Sequence, residues 1–306
     1  MNKNSKIYVA GHNGLVGSAI LKKLKKNGFT KLFYKSSKSL DLTNQIKTYN
    51  YLKKISPDWV IIAAAKVGGI EANRKFPVEF LTKNILIQNN LINGSFTHGV
   101  KNLLFLGSSC VYPISKKMIK ETDFLKGRLE KTNEAYAIAK ISGIKLCEYY
   151  SNQYNLNYFT LMPCNVFGPE DNYNLETSHF IPALIKKIHI AKVKKQNFIT
   201  LWGSGKPLRE VIFSEDLADA CLYMMKKKHK KNLINIGTDI EFSIKQFANI
   251  IMKELDYKVK IIFDKTKPDG VYRKKLNNNI AKNLGWQKKI KIQYAIRKTY
   301  ESFIKK

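Results

Sequence analysis

Three glycines at a spacing of three, Gly11, Gly14 and Gly17, separate a strand-like run from a helical one. The run before them is Ile7-Tyr8-Val9-Ala10. The run after them, from Ser18 to Lys26, repeats apolar residues at helical spacing. Glycine permits a tight turn and a close approach of backbone to a pyrophosphate. A helix that starts there offers unpaired N–H groups and a positive dipole end. The position of the motif gives it weight: it follows the first strand and opens the first helix, as in a dinucleotide-binding βαβ unit.

The alternation continues. Lys31-Leu32-Phe33-Tyr34 reads as a second strand, then a helix at 43–54, an apolar strand at 58–65, a helix at 77–96 carrying Asn84, and a strand at 103–106. A long helix at 133–154 and a strand at 157–162 follow. Strands alternating with helices imply a parallel, doubly wound Rossmann sheet in an α/β chain. After Pro163-Cys164-Asn165-Val166-Phe167-Gly168 the regularity fades. Helices are expected at 181–192, 243–255 and 293–304, strands at 198–202 and 232–237, and a turn running into a helix at 213–228. The expected division is a dinucleotide-binding domain at 1–168 and a smaller α/β substrate domain at 169–306, some of whose segments return to the first sheet.

A dinucleotide site raises the question of which dinucleotide. An NAD-preferring site puts a carboxylate near the end of the second strand. Here that strand ends in Lys35-Ser36-Ser37-Lys38, with no carboxylate before Asp41. Cations and hydroxyls there suit a 2′-phosphate, so the expected cofactor is NADP(H). Small residues at Ala63, Ala64 and Ala65 let a cofactor lie against the backbone.

The net charge of +31 invites a nucleic-acid reading. Only five of the 54 basic residues are arginines, and lysines occur in every segment. That pattern looks like a compositional bias, so no specific nucleic-acid partner is expected. No apolar run reaches the ~18 residues of a membrane span. No cleavable apolar leader precedes the first strand, so a cytoplasmic protein is expected. The four cysteines, Cys110, Cys147, Cys164 and Cys221, are scattered, which argues against a disulfide framework or a metal site.

The chemistry concentrates between residues 104 and 140. An apolar strand ends in Gly107-Ser108-Ser109-Cys110, and Tyr136-Ala137-Ile138-Ala139-Lys140 lies in a helical pattern. Residues four apart share a helix face, so Tyr136 and Lys140 point the same way. An ammonium beside a phenol is expected to lower the phenol's pKa. Ser108 can hold a substrate oxygen against that phenol. This equips a site to move a proton on and off an alcohol while a hydride leaves or arrives.

With the glycine loop, Ser108, Tyr136, Lys140 and Asn165 in order, the chain resembles the extended short-chain dehydrogenase/reductase family. The resemblance extends over almost the whole chain to the family's GDP-keto-sugar epimerase/reductases. It rests on Gly11-His12-Asn13-Gly14-Leu15-Val16-Gly17, Lys66-Val67-Gly68-Gly69-Ile70, Gly107-Ser108-Ser109-Cys110-Val111-Tyr112-Pro113, Ser178-His179-Phe180-Ile181-Pro182, Trp202-Gly203-Ser204-Gly205, Arg209-Glu210 and Lys267-Pro268-Asp269-Gly270. It implies conversion of GDP-4-keto-6-deoxy-D-mannose to GDP-L-fucose by C3 and C5 epimerisation and NADPH-dependent C4 reduction. A closely related alternative is a GDP-colitose-forming enzyme, whose substrate differs in one sugar hydroxyl.

The resemblance also implies roles. Tyr136 protonates the C4 oxygen, Lys140 and Ser108 support it, Cys110 is the base and His179 the acid for the carbon protons. Gly11 to Gly17, Ser36, Asp41, Leu42, Ala63, Ala65, Leu106, Gly107, Ser108, Ser109, Tyr136, Lys140, Pro163, Cys164, Asn165, Val166 and His179 line the cofactor. Ser108, Ser109, Cys110, Asn165, His179, Lys187, Trp202, Arg209, Lys267 and Asp269 meet the substrate, and no metal is implied. Sugar-nucleotide dehydratases carry an Asp-Glu pair where this chain has Ser109-Cys110, so water elimination is not expected. Two positions depart from the family: Asn13 stands where many relatives have Arg, and Cys164 where they have Thr or Ser. Homodimers through the helices at 77–96 and 133–154 are a further implication.

Overall fold

Runs of Ile, Val, Leu and Phe without a polar face form the strands of the main sheet, as strands covered on both sides do. The computed structural model describes every residue except Pro268 and Lys306. The first half runs β1 (Ile7–Ala10), α1 (Leu15–Lys26), β2 (Leu32–Phe33), α2 (Gln45–Ile55), β3 (Trp59–Ile62), α3 (Ile70–Lys75), α4 (Pro77–Thr97), β4 (Asn102–Leu106), α5 (Glu134–Tyr154) and β5 (Asn157–Pro163). The second half runs β6 (Asn165–Phe167), α6 (Phe180–Val193), β7 (Phe198–Trp202), β8 (Leu208–Phe213), α7 (Ser214–Lys226), β9 (Leu233–Ile236), β10 (Glu241–Ser243), α8 (Ile244–Glu254), β11 (Lys260–Asp264), β12 (Arg273–Lys274), α9 (Asn279–Asn283) and α10 (Ile292–Phe303).

The main sheet is parallel throughout, in the order β2-β1-β3-β4-β5-β9. β1 has β2 on one side and β3 on the other, so the chain reverses its direction of travel across the sheet at this point. The crevice above the C-terminal ends of β1 and β3 is where such sheets bind ligands. The strand expected at 232–237 is β9, and it pairs with β5 at the sheet's far edge. α7 packs on α1, and Asp219 joins them by accepting from Lys23 Nζ at 2.5 Å. The same carboxylate accepts from the Trp286 indole N–H at 3.2 Å and Lys289 Nζ at 3.1 Å.

A second apolar core gathers Ile185, Ile188, Leu201, Phe213, Phe247 and Ile296. Around it β8 pairs antiparallel with β10 and parallel with β12 and β6, while β7 and β11 form a parallel pair. The six longer helices expected from periodicity at 43–54, 77–96, 133–154, 181–192, 243–255 and 293–304 form within two residues of those ends. β8 was not expected, because Arg209-Glu210 opens it with two charges. Glu210 is fully buried there. Its carboxylate accepts from the N–H groups of Thr238 (2.6 Å), Asp239 (2.8 Å) and Leu276 (2.9 Å). Three backbone donors offset the cost of burying that charge, and they tie the exits of β9 and β12 to β8.

Candidate active site

At the end of β1 the chain turns at Gly11 with φ +86°. A Cβ there would lie 2.5 Å from the backbone nitrogen of Ala64, so the exits of β1 and β3 touch at a point where a side chain does not fit. α1 begins at Leu15 and Val16 with Gly14 as its N-cap. Glycine has no side chain to satisfy the first-turn N–H groups, so donors and the positive helix end face the crevice. That combination of clearance and donors fits a dinucleotide's pyrophosphate.

His12, in the turn, packs on Tyr34 with ring centroids 4.7 Å apart. Ser36 follows, its Oγ 3.2 Å from Ser39 Oγ. Asn13 is exposed. Asp41 accepts from the N–H and hydroxyl of Thr43 at 2.9 and 2.8 Å, and these donors hold its carboxyl below the usual range. The Leu42 carbonyl accepts from Asn90 Nδ2 at 2.9 Å. Ala63 and Ala65, partly exposed, follow β3.

β4 delivers the reacting cluster. It ends at Leu106, and after Gly107 and Ser108 a single 3-10 turn covers Ser109–Val111. Tyr136 lies in the first turn of α5 and Lys140 one turn later. Lys140 is 4% exposed and donates to the Leu106 carbonyl at 2.8 Å. Its Nζ is 4.6 Å from the Phe105 ring centroid and 5.8 Å from that of Tyr136. Burial brings the ammonium down to about 8. Phe80 of α4 meets the Tyr136 ring edge-on at 6.3 Å.

The expected lowering of the Tyr136 pKa is not found. Burial, reinforced by the neighbouring Cys110, pushes the phenol above its ordinary value. Lys140 commits a donor to Leu106 and does not offset this. Tyr136 therefore rests as a neutral phenol, a proton donor, which is the form a ketone reduction requires.

Cys110 is shifted in the same direction as Tyr136. Its N–H donates to Ser108 Oγ at 3.4 Å, and the Ser108 hydroxyl also hydrogen-bonds the thiol. Burial still raises the thiol; Lys274, Ser108 and Lys140 pull it down and Glu130 adds to the rise. His179 is the N-cap of α6. It is exposed, and desolvation by the surrounding protein atoms lowers its pKa. At neutral pH Cys110 is therefore a thiol and His179 a neutral imidazole. His179 connects to the β3 side because the Gly69 N–H donates to Thr177 O at 2.8 Å.

Pro163 closes β5. The Cys164 N–H donates to Ile236 O at 3.1 Å and its thiol is buried, so it packs between strands. Asn165 and Val166, partly exposed, open β6. Cys147 and Cys221 are buried as packing residues.

A second cluster forms around the end of β7. Lys187 donates to Thr200 O at 2.8 Å, and partial burial lowers its pKa. Trp202 is 54% exposed, with Lys267 Nζ 5.6 Å from its ring centroid. Asp269 accepts from the Ser204 N–H at 2.6 Å and hydroxyl at 2.7 Å. Pro268, within this stretch, lies outside the described residues. Arg209 stands between the two clusters: it donates to Leu208 O at 2.8 Å, and burial lowers its pKa against the carboxylates of Glu130 and Asp269, which favour its charge.

Sequence reasoning missed Glu130 and Lys274. β12 sets Lys274 beside Arg209, and its Nζ is 4.0 Å from Glu130 Oε2. Lys274 was hidden among the other lysines. Glu130 had one signal, the scarcity of carboxylates, 23 against 54 cations. Among the described residues no three His, Cys, Asp or Glu side chains group to hold a metal ion, and no helix is long and apolar enough to cross a membrane.

Residues 7–237 match the NAD dependent epimerase/dehydratase family. The GDP-L-fucose synthase of Sinorhizobium fredii strain NGR234 is 45% identical over 98% of this chain and 95% of its own. The putative GDP-L-fucose synthase 2 of Arabidopsis thaliana is 44% identical over 99% and 93%. The structure of a GDP-L-fucose synthetase from Naegleria fowleri bound to NADP superposes with a TM-score of 0.91 at 29% identity, covering 100% of this chain and 95% of that one.

Proposed function

The chain belongs to the NAD dependent epimerase/dehydratase family, in the GDP-L-fucose synthase group, and from that premise we propose that it makes GDP-L-fucose from GDP-4-keto-6-deoxy-D-mannose with NADPH. The observation that carries the reading is the Cys110 thiol, hydrogen-bonded to Ser108 and within electrostatic reach of Tyr136 and Lys140. Reduction at C4 needs a donor at the C4 oxygen. It does not need a further proton carrier beside that donor, whereas removing protons from carbon needs a base, and the Cys110 thiol is placed to be one.

The C4 ketone acidifies the protons at C3 and C5. Tyr136 and Ser108 donate hydrogen bonds to the C4 oxygen and stabilise the enolate charge. Cys110 and His179 serve the two faces of the sugar, one taking the proton and the other returning it. Moving the thiol proton to the imidazole gives the thiolate and imidazolium that this exchange uses, and Lys274 and Lys140 favour the thiolate. Lys140 would hold the nicotinamide ribose, and NADPH bound in the β1–β3 crevice would supply the hydride that C4 reduction needs. Tyr136 then gives its proton to the C4 oxygen. Arg209, Lys187 and Lys274 meet the diphosphate and Trp202 packs near the base.

The reading keeps residues 1–168 as the cofactor unit and 169–306 as mainly the substrate unit. It includes a homodimer, supported by the exposed Leu86 on α4 and Ile138 and Tyr149 on α5. A cytoplasmic location suits a reaction that consumes NADPH. The test is NADPH oxidation with GDP-4-keto-6-deoxy-D-mannose against its 3-deoxy analogue, with products identified by NMR. GDP-L-fucose from the first substrate is expected. Turnover of the 3-deoxy analogue alone would move the chain to the colitose-type reaction, and turnover of neither would refute both.

A further inference from the structure

The two residues before His179 rest on the loop that leaves β3. The Gly69 N–H donates to Thr177 O at 2.8 Å. A Cβ built on Gly69 would lie 2.7 Å from the Ser178 carbonyl oxygen. Gly69 has φ −67° and ψ −177°, a conformation open to any residue. The glycine is therefore not required for backbone freedom; it is required because the Ser178 backbone comes too close for a side chain.

The other side of this loop is fixed. Asn84 of α4 accepts from the Lys66 N–H at 2.7 Å and donates to Lys66 O at 3.0 Å and Phe80 O at 2.7 Å. The β3 exit is thus a bracket, clamped to α4 at Lys66 and carrying the 177–178 backbone at Gly69. His179 is the next residue, with φ −73° and ψ 168° at the start of α6. Its position depends on where that backbone sits.

We propose that Gly69 is a positioning residue for epimerisation: the absence of a side chain at Gly69 lets the 177–178 backbone seat on the β3 exit loop and so fixes where the His179 imidazole stands. The proposal rests on the epimerase reading of Cys110 and His179. A methyl group at position 69 pushes Ser178 outward and moves the imidazole away from the sugar. Ser108, Tyr136 and Lys140 are carried by β4 and α5 and do not hang from this contact.

The test uses Gly69→Ala in the full chain, with NADPH binding followed by fluorescence to report an intact cofactor site. One readout needs no substrate: the imidazole C2–H resonances are titrated by NMR, with His179 assigned through His179→Asn. In Gly69→Ala the His179 titration is expected to move up toward its ordinary value of 6.5, with the other histidines unchanged. The second readout is solvent deuterium entering C3 and C5 of the keto sugar. It is expected to fall about tenfold to a hundredfold, the scale of a small misplacement of a reacting group, while NADPH binding is retained. If Gly69→Ala does not fold, Asn84→Ala frees the other end of the bracket without adding bulk and is expected to shift both readouts the same way. Wild-type titration and exchange in the substituted protein overturn the proposal. Absence of exchange in the wild type refutes the epimerase reading instead, and the imidazole titration still decides whether Gly69 sets His179.

Discussion

With Cys110 and His179 as the proposed proton carriers, their two ionisations set the pH range of epimerisation. The imidazole is lowered from 6.5 and the thiol raised from 9.0. Below the imidazole's pKa the pair carries one proton too many; above the thiol's it has lost the one it needs. Between them the proton count is right, whichever group takes the sugar proton first. Lys140 is different, because it loses its charge near pH 8. As pH rises past about 8, NADPH oxidation is expected to fall, while deuterium exchange at C3 and C5 falls less, because Lys274 favours the Cys110 thiolate more than Lys140 does. Parallel kcat/KM profiles for the two processes check this, and a shared alkaline limb at the lysine's pKa would argue against separate proton carriers. The residue types of this site were legible in the chain, since Ser108, Cys110, Tyr136 and Lys140 announce themselves by spacing. Their ionisation was not. An ammonium four residues from a phenol suggested a phenolate, but burial depends on Phe80, Phe105 and Leu106, which come from other elements.

The β1–α1 turn is the element on which cofactor binding depends. Gly11 combines a left-handed φ with a 2.5 Å clearance to Ala64, so Gly11→Ala meets backbone strain of about 1–2 kcal/mol and a steric clash. The expected result is at least about a tenfold loss of NADPH affinity, which 1.4 kcal/mol represents, together with a lower melting temperature. Fluorescence titration and thermal unfolding measure both; unchanged affinity would place the pyrophosphate elsewhere. This turn could be read from the chain because strand, glycines and helix are contiguous. β8 and β12 could not. β8 begins with Leu208-Arg209-Glu210, and its buried carboxylate is satisfied by donors at residues 238, 239 and 276. β12 is two residues long and exists through its pairing with β8. Short strands made by distant partners leave no periodicity to detect.

At the scale of the whole molecule, the parallel sheet brings three loops to one edge. The turn after β1 and the loop after β3 offer the crevice for the dinucleotide, and the exit of β4 brings Ser108 and Cys110 to α5. The smaller core carries Arg209, Lys187 and Trp202, the residues proposed to meet the nucleotide. β9 and α7, which follow the smaller core's first strands, pack into the main sheet and onto α1, so this later segment returns to the main core, where Asp219 ties it to Lys23 and Trp286. On the proposed function this one site performs two separable reactions, proton exchange by Cys110 with His179 and reduction by Tyr136 with Lys140. Product identification for Cys110→Ala with GDP-4-keto-6-deoxy-D-mannose and NADPH separates them. NADPH is expected still to be oxidised, and the product to be a C4-reduced GDP-sugar with C3 and C5 unchanged. GDP-L-fucose formed by Cys110→Ala at the wild-type rate would contradict it.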